Sequence, residues 1–367
     1  MDFPRTVDEI TPQWLTQVLR ENGAIEGERV VAVIAGDMGG EQGRMTDVRR
    51  IEVEYDSPSE KSPQTLIVKS KRTGLTPEWA DFAYPMYERE VGLYRDRDPD
   101  FNVRLPECYF AEFNPETGAL AIVLEDLGHL RSEQELDDLS LDDGMSVMRY
   151  LAHLHAAWWG KPDGINYSWL AEEPWLWKNV DTEVMYQQNF EKWLEYYDDY
   201  LPHGIDRISR ALSDKVIAVG EALARPPVTL VHADFKLANM FFDDSADGPP
   251  EIVAFDWQMA ARLRGPMDIG MFIMQSFEIE TRRSVERKLL NEYYDTLIDN
   301  GVRGYSRDEF EWDTRLAVIP RFVIHTASFS LVERNTPKAP EGNARVGNFM
   351  NKLQTLLDWN CEEVIPR

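Results

Sequence analysis

His232-Ala233-Asp234-Phe235-Lys236-Leu237-Ala238-Asn239, followed by Phe255-Asp256-Trp257-Gln258, is the stretch that decides the fold. Strand-like segments surround it: 228–232 (VTLVH) runs into it, 239–242 (NMFF) leads out, and 251–255 (EIVAF) ends at Asp256. The turn-rich DDSADGPP joins the last two as a hairpin. Asp234 and Asn239 are five residues apart, and Asp256 follows across the hairpin. Phosphoryl transfer needs a carboxylate to accept the proton of an attacking hydroxyl. It also needs two further oxygen ligands to hold a divalent cation on the nucleotide phosphates. An H-x-D-x-x-x-x-N loop supplies the base and one ligand. An aspartate at the end of a buried strand supplies the other, because a buried carboxylate is costly unless paired or liganded.

Upstream, residues 29–35 (RVVAVIA) and 48–55 (VRRIEVEY) read as strands around GDMGGEQGRMTD. Gly39, Gly40 and Gly43 in that loop allow a backbone to lie close over phosphates, with a plain hairpin turn as the alternative. Residues 65–69 (TLIVK) read as a third strand, with Lys69 placed to reach the α- and β-phosphates. A helical pattern over 78–95 carries Glu90, which can pair with Lys69 and aim it; Glu88 shares that helix. Two more strands are expected at 107–113 and 119–125, joined by NPETG. The order glycine loop, Lys, Glu, H-x-D-x-x-x-x-N, Asp is that of the kinase fold. The expected fold is therefore α+β and bilobal, protein-kinase-like. A small β-rich lobe over 1–127 binds nucleotide. A larger, mostly helical lobe over 128–367 carries the catalytic loop and acceptor-binding helices.

The chain resembles the aminoglycoside phosphotransferase and choline kinase superfamily, and most of all its ecdysteroid-kinase-like branch and bacterial relatives. GRMTDVRRIEVEY, TLIVK, IVLEDL, LAHLHA, LVHADFKLANMFF and VAFDWQ…GPMDIG carry the resemblance, from about residue 36 to 305. It implies Mg²⁺-dependent transfer of the γ-phosphoryl of ATP or GTP to a hydroxyl of a small-molecule acceptor. It implies Asp234 as base, Asn239 and Asp256 as Mg²⁺ ligands, and Lys69 with Glu90 as the phosphate anchor. Backbone groups of the hinge at 124–127, Glu125 and Leu127 among them, would meet the purine. Asp268 matches a recurring structural aspartate, and Ala233 stands where the family often has glycine. H-x-D-F-K-x-x-N also resembles the serine/threonine protein kinase loop, in which the lysine, here Lys236, contacts the γ-phosphate. Asp-Trp-Gln in place of Asp-Phe-Gly argues against a protein substrate.

Other features bound the function. The 367 residues suggest two domains or lobes. Sixty-five acidic against 39 basic residues give a net charge of −26, which argues against nucleic acid or an anionic membrane as partner. No apolar run is long enough to span a bilayer and no signal-peptide pattern opens the chain, so a cytoplasmic protein is expected. Cys108 and Cys361 make no disulfide framework. His153 and His155, two apart on a helix, do not share a face, so they read as no metal pair. His232 reads as support beneath the catalytic loop. Six of the 11 tryptophans lie between 158 and 193; core packing is the preferred reading, a wall for a bulky acceptor the sharper one. Seven acids against one lysine over 181–206 read as solvated helix faces or as a selector for a cationic acceptor. Two alternatives remain. One is a non-catalytic nucleotide-binding module. The other is a non-haem iron oxygenase built on His232, Asp234 and His325, which would need an all-β jelly roll around the triad.

Overall fold

The computed structural model describes residues 3–36, 45–96, 101–132, 139–161, 168–170, 181–332 and 352–367. The chain divides into two compact units. The smaller takes most of the first 131 residues and also 253–259; the larger takes the remainder.

The smaller unit opens with α1 (Pro12–Asn22). Its limits are written locally: Thr11 caps the Trp14 amide, proline fills the first turn, and Gly23 ends the helix at φ 84°. Five strands follow, interrupted by one helix: β1 (Val30–Ala35), β2 (Thr46–Tyr55), β3 (Thr65–Lys71), α2 (Pro77–Arg95), β4 (Cys108–Asn114) and β5 (Ala119–Glu125). The sheet order is β1-β2-β3-β5-β4, antiparallel throughout. Leu66 and Val68 on β3 join Ile51, Val53 and Val123 beneath α1, where Leu15 and Leu19 are buried. Alternation along a strand puts Lys69 on the opposite face to Leu66 and Val68. The apolar run Ala119–Leu124 is buried along its whole length, as its composition suggests for a strand covered on both faces.

The larger unit is mainly helical. Its elements are α3 (Leu141–Trp158), α4 (Thr182–Tyr197), α5 (Ile205–Ala211), α6 (Val216–Leu223), β6 (Thr229–Val231), β7 (Met240–Asp243), β8 (Glu251–Ala254), β9 (Ala261–Leu263), α7 (Pro266–Ser276), α8 (Ile279–Asp299), α9 (Arg307–Ala317) and α10 (Ile319–Ala327). β8 ends in the smaller unit, which takes the chain from Val253 to Met259. β7 pairs with β8 and β6 with β9. A core of Trp193, Tyr197, Ile208, Val219, Met271, Phe322 and Leu356 ties α4–α7, α10 and the C-terminal segment together. Trp158, Trp169 and Trp193 are buried, so packing accounts for them; Trp175 and Trp177 lie outside the described residues. Of the acids on α4, Glu191 pairs with Arg210 and Glu183 accepts the Ile217 amide. Both cysteines are free thiols, and burial pushes each up to about 12. No helix among the described residues is long and apolar enough to cross a membrane.

The helical surroundings correct the iron alternative. His325 sits on α10, its Nδ1 accepts the Trp193 indole N–H at 3.1 Å, and burial lowers its pKa to about 3. Among the described residues helices, not a jelly roll, surround it.

Candidate active site

The smaller unit brings three of the expected residues together. Lys69 Nζ lies 2.6 Å from Glu90 Oε1 and 2.9 Å from Asp256 Oδ1. Lys69 and Glu90 are almost fully buried, while Asp256 keeps 25% of its side chain exposed. Glu88 is exposed, so Glu90 is the partner. Burial acts to lower the Lys69 pKa, but the carboxylates of Asp256 and Glu90 outweigh it and the net direction is upward. Burial pushes Glu90 up, and Lys69 opposes that. The net direction for Glu90 is upward as well, and Lys69 stays a charged ammonium between Glu90 and Asp256. One helical turn before Glu90, the Tyr87 hydroxyl donates to the Met45 carbonyl, so α2 also holds the chain where it re-enters β2. Gly39, Gly40 and Gly43, just before it, lie outside the described residues.

β5 ends at Glu125, and the segment after it is tied down. The Glu125 N–H donates to the Glu107 carbonyl at 2.8 Å, and its carboxylate accepts the Glu107 N–H at 3.1 Å. Leu127 is buried and its carbonyl accepts the Leu130 N–H. Arg50, on β2, forks onto Asp126. A Cβ at Gly128 would fall 1.9 Å from that guanidinium, which would have to shift to admit it.

The larger unit holds the loop. After β6, His232 is fully buried, and its Nδ1 accepts the Asp234 N–H at 3.3 Å. Asp234 Oδ2 accepts from Lys236 Nζ at 2.7 Å and from Asn239 Nδ2 at 3.1 Å. Asn239 Nδ2 also donates to the Asp234 carbonyl at 2.8 Å. With the amide nitrogen so committed, the Asn239 Oδ1 is the end that can face a cation. Phe235 stacks on Tyr150 and meets Phe272 edge-on, which seats the loop on the core. Ala233 and Asp256, one in each unit, both adopt left-handed backbone, at φ 61° and 66°. Such strain in non-glycine residues gathers at functional sites.

Further residues support the loop and the helices around it. Asp268, in the first turn of α7, accepts the N–H groups of His232 at 2.7 Å and Ala233 at 2.8 Å. GPMDIG marked it by resemblance as structural; its hydrogen bonds state the task. Arg264 forks onto buried Asp313 and also donates to the carbonyls of Arg225 and Pro226. Nothing in the sequence pairs an arginine with an aspartate 49 residues on. Among the described residues no three His, Cys, Asp or Glu side chains form a metal cluster.

A five-stranded antiparallel sheet with a buried Lys–Glu pair, and a helical unit holding an H-x-D-x-x-x-x-N loop, define a kinase-like α+β protein. The chain belongs to the ecdysteroid kinase-like family, whose model matches residues 41–302. A protein from Ralstonia eutropha JMP134, provisionally described as an aminoglycoside phosphotransferase, is similar with a TM-score of 0.55 at 12% identity, over 96% of this chain and 98% of that one. The GDP complex of wild-type aminoglycoside 2'-phosphotransferase-IIIa scores 0.52 at 11% identity, over 96% and 100%. Amicoumacin kinase hAmiN, in complex with AMP-PNP, Ca²⁺ and Ami, scores 0.51 at 12% identity, over 90% and 89%. At these identities the likeness is one of fold. No curated protein matches the chain.

Proposed function

We propose that the protein is a small-molecule kinase that transfers the γ-phosphoryl group of ATP or GTP to a hydroxyl of a small-molecule acceptor. The observation that carries this is Lys69, buried and charged between Glu90 and Asp256. A cation fixed by two carboxylates has little structural reason to be there, since apolar residues would pack as stably. It has a clear use against a polyphosphate, which can displace Asp256 from it while Glu90 continues to aim it. Family membership and the fold support the same reading.

In this reading a purine meets the backbone after β5. The Glu125 N–H and the Leu127 carbonyl are already engaged, so the Glu125 carbonyl and the Leu127 N–H are the groups to read it. Asp234 orients the acceptor hydroxyl and takes its proton. Lys236 holds the Asp234 carboxylate beforehand and can turn to the γ-phosphate. Asn239 and Asp256 are the proposed ligands of Mg²⁺, which when bound neutralises charge on the transferring phosphates. The residues fit that ion. Asn239 presents an amide oxygen. Asp256 presents carboxylate oxygens, one beside Lys69 at 2.9 Å and the other 3.3 Å from Gln258. So few protein ligands suit Mg²⁺, which binds largely through waters and phosphates.

The experiment is a phosphate-transfer screen: purified protein, γ-labelled ATP or GTP, Mg²⁺, and a panel of sugars, aminoglycosides, amino alcohols and sterols. Label transfer to an acceptor supports the reading. Nucleotide binding with no transfer across a broad panel would favour the non-catalytic module.

A further inference from the structure

Ala233 is left-handed, a conformation that a Cβ disfavours and glycine accepts freely. Something must hold it there, and the hydrogen bonds show what. Both oxygens of Asp268 are used on the amides of His232 and Ala233. Behind Asp268 stands His155, with Nε2 3.3 Å from Oδ2. Behind His155 stands Tyr293 on α8, its hydroxyl 2.9 Å from Nδ1. All three side chains are fully buried.

The direction of these bonds follows from the groups. An ionised carboxylate only accepts, so His155 Nε2 carries a proton. In a neutral ring Nδ1 is then an acceptor, and the Tyr293 O–H fills it. The carboxylate sets the tautomer, and the hydroxyl holds the ring in the orientation that aims Nε2–H at Asp268. Without the hydroxyl the ring loses its hydrogen bond at Nδ1, and its Nε2–H is aimed less firmly. The arrangement has room made for it. A Cβ at Gly265 would sit 2.8 Å from the Tyr293 hydroxyl and 2.9 Å from His155 Nδ1. The Tyr293 ring is also held independently of its hydroxyl, stacked on Phe310 at 17°.

We propose that Tyr293 is a positioning residue for phosphoryl transfer: by holding the His155 ring it keeps Asp268 on the loop amides, and so keeps Ala233 left-handed and Asp234 in place. The proposal rests on the reading of Asp234 as the base. It is specific to this chain's alanine, because glycine at 233 would need less restraint.

The test is amide hydrogen exchange at His232, read in wild type, Tyr293→Phe, and Tyr293→Phe with Ala233→Gly. Thermal unfolding of each serves as a control, and kcat and nucleotide KM are measured with the acceptor found in the screen. Tyr293→Phe should speed His232 exchange about two- to tenfold, the factor one hydrogen bond carries. It should lower kcat similarly with nucleotide KM unchanged, and Ala233→Gly should reverse both. Unchanged His232 exchange in Tyr293→Phe overturns the proposal. So does an acceleration that Ala233→Gly leaves in place, because that marks general support of the core. If Tyr293→Phe does not fold, Gly265→Ala crowds the same pair and is judged by the same outcomes. The exchange measurement needs no turnover, so a wild-type protein without phosphate transfer would overturn the kinase reading separately.

Discussion

Lys69 is where residue-scale physics and the proposed chemistry meet. Its stem leaves the face of the sheet opposite Leu66 and Val68, and its ammonium is taken by Glu90 and Asp256. Lys69→Met would leave Glu90 buried without a cation, and breaking a buried pair typically costs about 3–5 kcal/mol. We expect a clear fall in melting temperature and a loss of nucleotide affinity of about 10–100-fold, one charge-assisted hydrogen bond's worth. Calorimetric titration with ATP or GTP checks it, and unchanged affinity would remove Lys69 from the phosphate site. At this scale much of the site was legible. Lys69 and Glu90 stand out by order and spacing, and the structure joins them. His232, Asp234, Lys236 and Asn239 form one hydrogen-bonded loop. Tyr293, Asp313 and Arg50 were not legible, because each meets its partner through tertiary packing that no local pattern encodes.

Among elements, the clearest sequence signals were end signals. Thr11, Pro12 and Gly23 bound α1 to the residue. α3 begins at Leu141. The cause is a capping box in which Ser140 caps the Asp143 amide and Asp143 returns the bond. Ser140→Ala should cost about 1 kcal/mol, measurable by chemical denaturation. β9 was missed outright: three residues, Ala261–Leu263, have no periodicity to read and exist because they pair with β6. The C-terminal segment is tied to α8 by Asp358, which accepts from Arg282, Arg283 and Gln354. Burial alone would raise the Asp358 pKa, but these donors outweigh it and lower it to about 2. A depressed carboxylate contributes stability that is complete above its unfolded value, near 3.8, and is lost as pH falls toward 2. Asp358→Asn should therefore lower the melting temperature at neutral pH, and the gap to wild type should close across that acid window. A gap that does not change with pH would contradict the ion-pair account.

At the scale of the whole chain, the net charge of −26 is a cost to compactness as well as an aid to solubility. Screening should relieve it: the melting temperature should rise between low salt and about 0.3 M NaCl, where the Debye length is only several ångströms. A fall would mean that ion pairs such as Arg207–Glu362 and Arg307–Asp295 outweigh the repulsion. The two-part α+β plan was legible from the change in pattern after the fifth strand. The return of 253–259 to the smaller unit was not, because it is a property of contacts rather than of sequence order. In the proposed reaction Asp234 takes the proton of the acceptor hydroxyl as the phosphoryl group moves to it. The most direct measurement is the turnover of Asp234→Asn against wild type, with the acceptor found by the transfer screen. A kcat lowered by about 10²–10⁴ with nucleotide KM nearly unchanged is the expected result. Full activity in Asp234→Asn would contradict it.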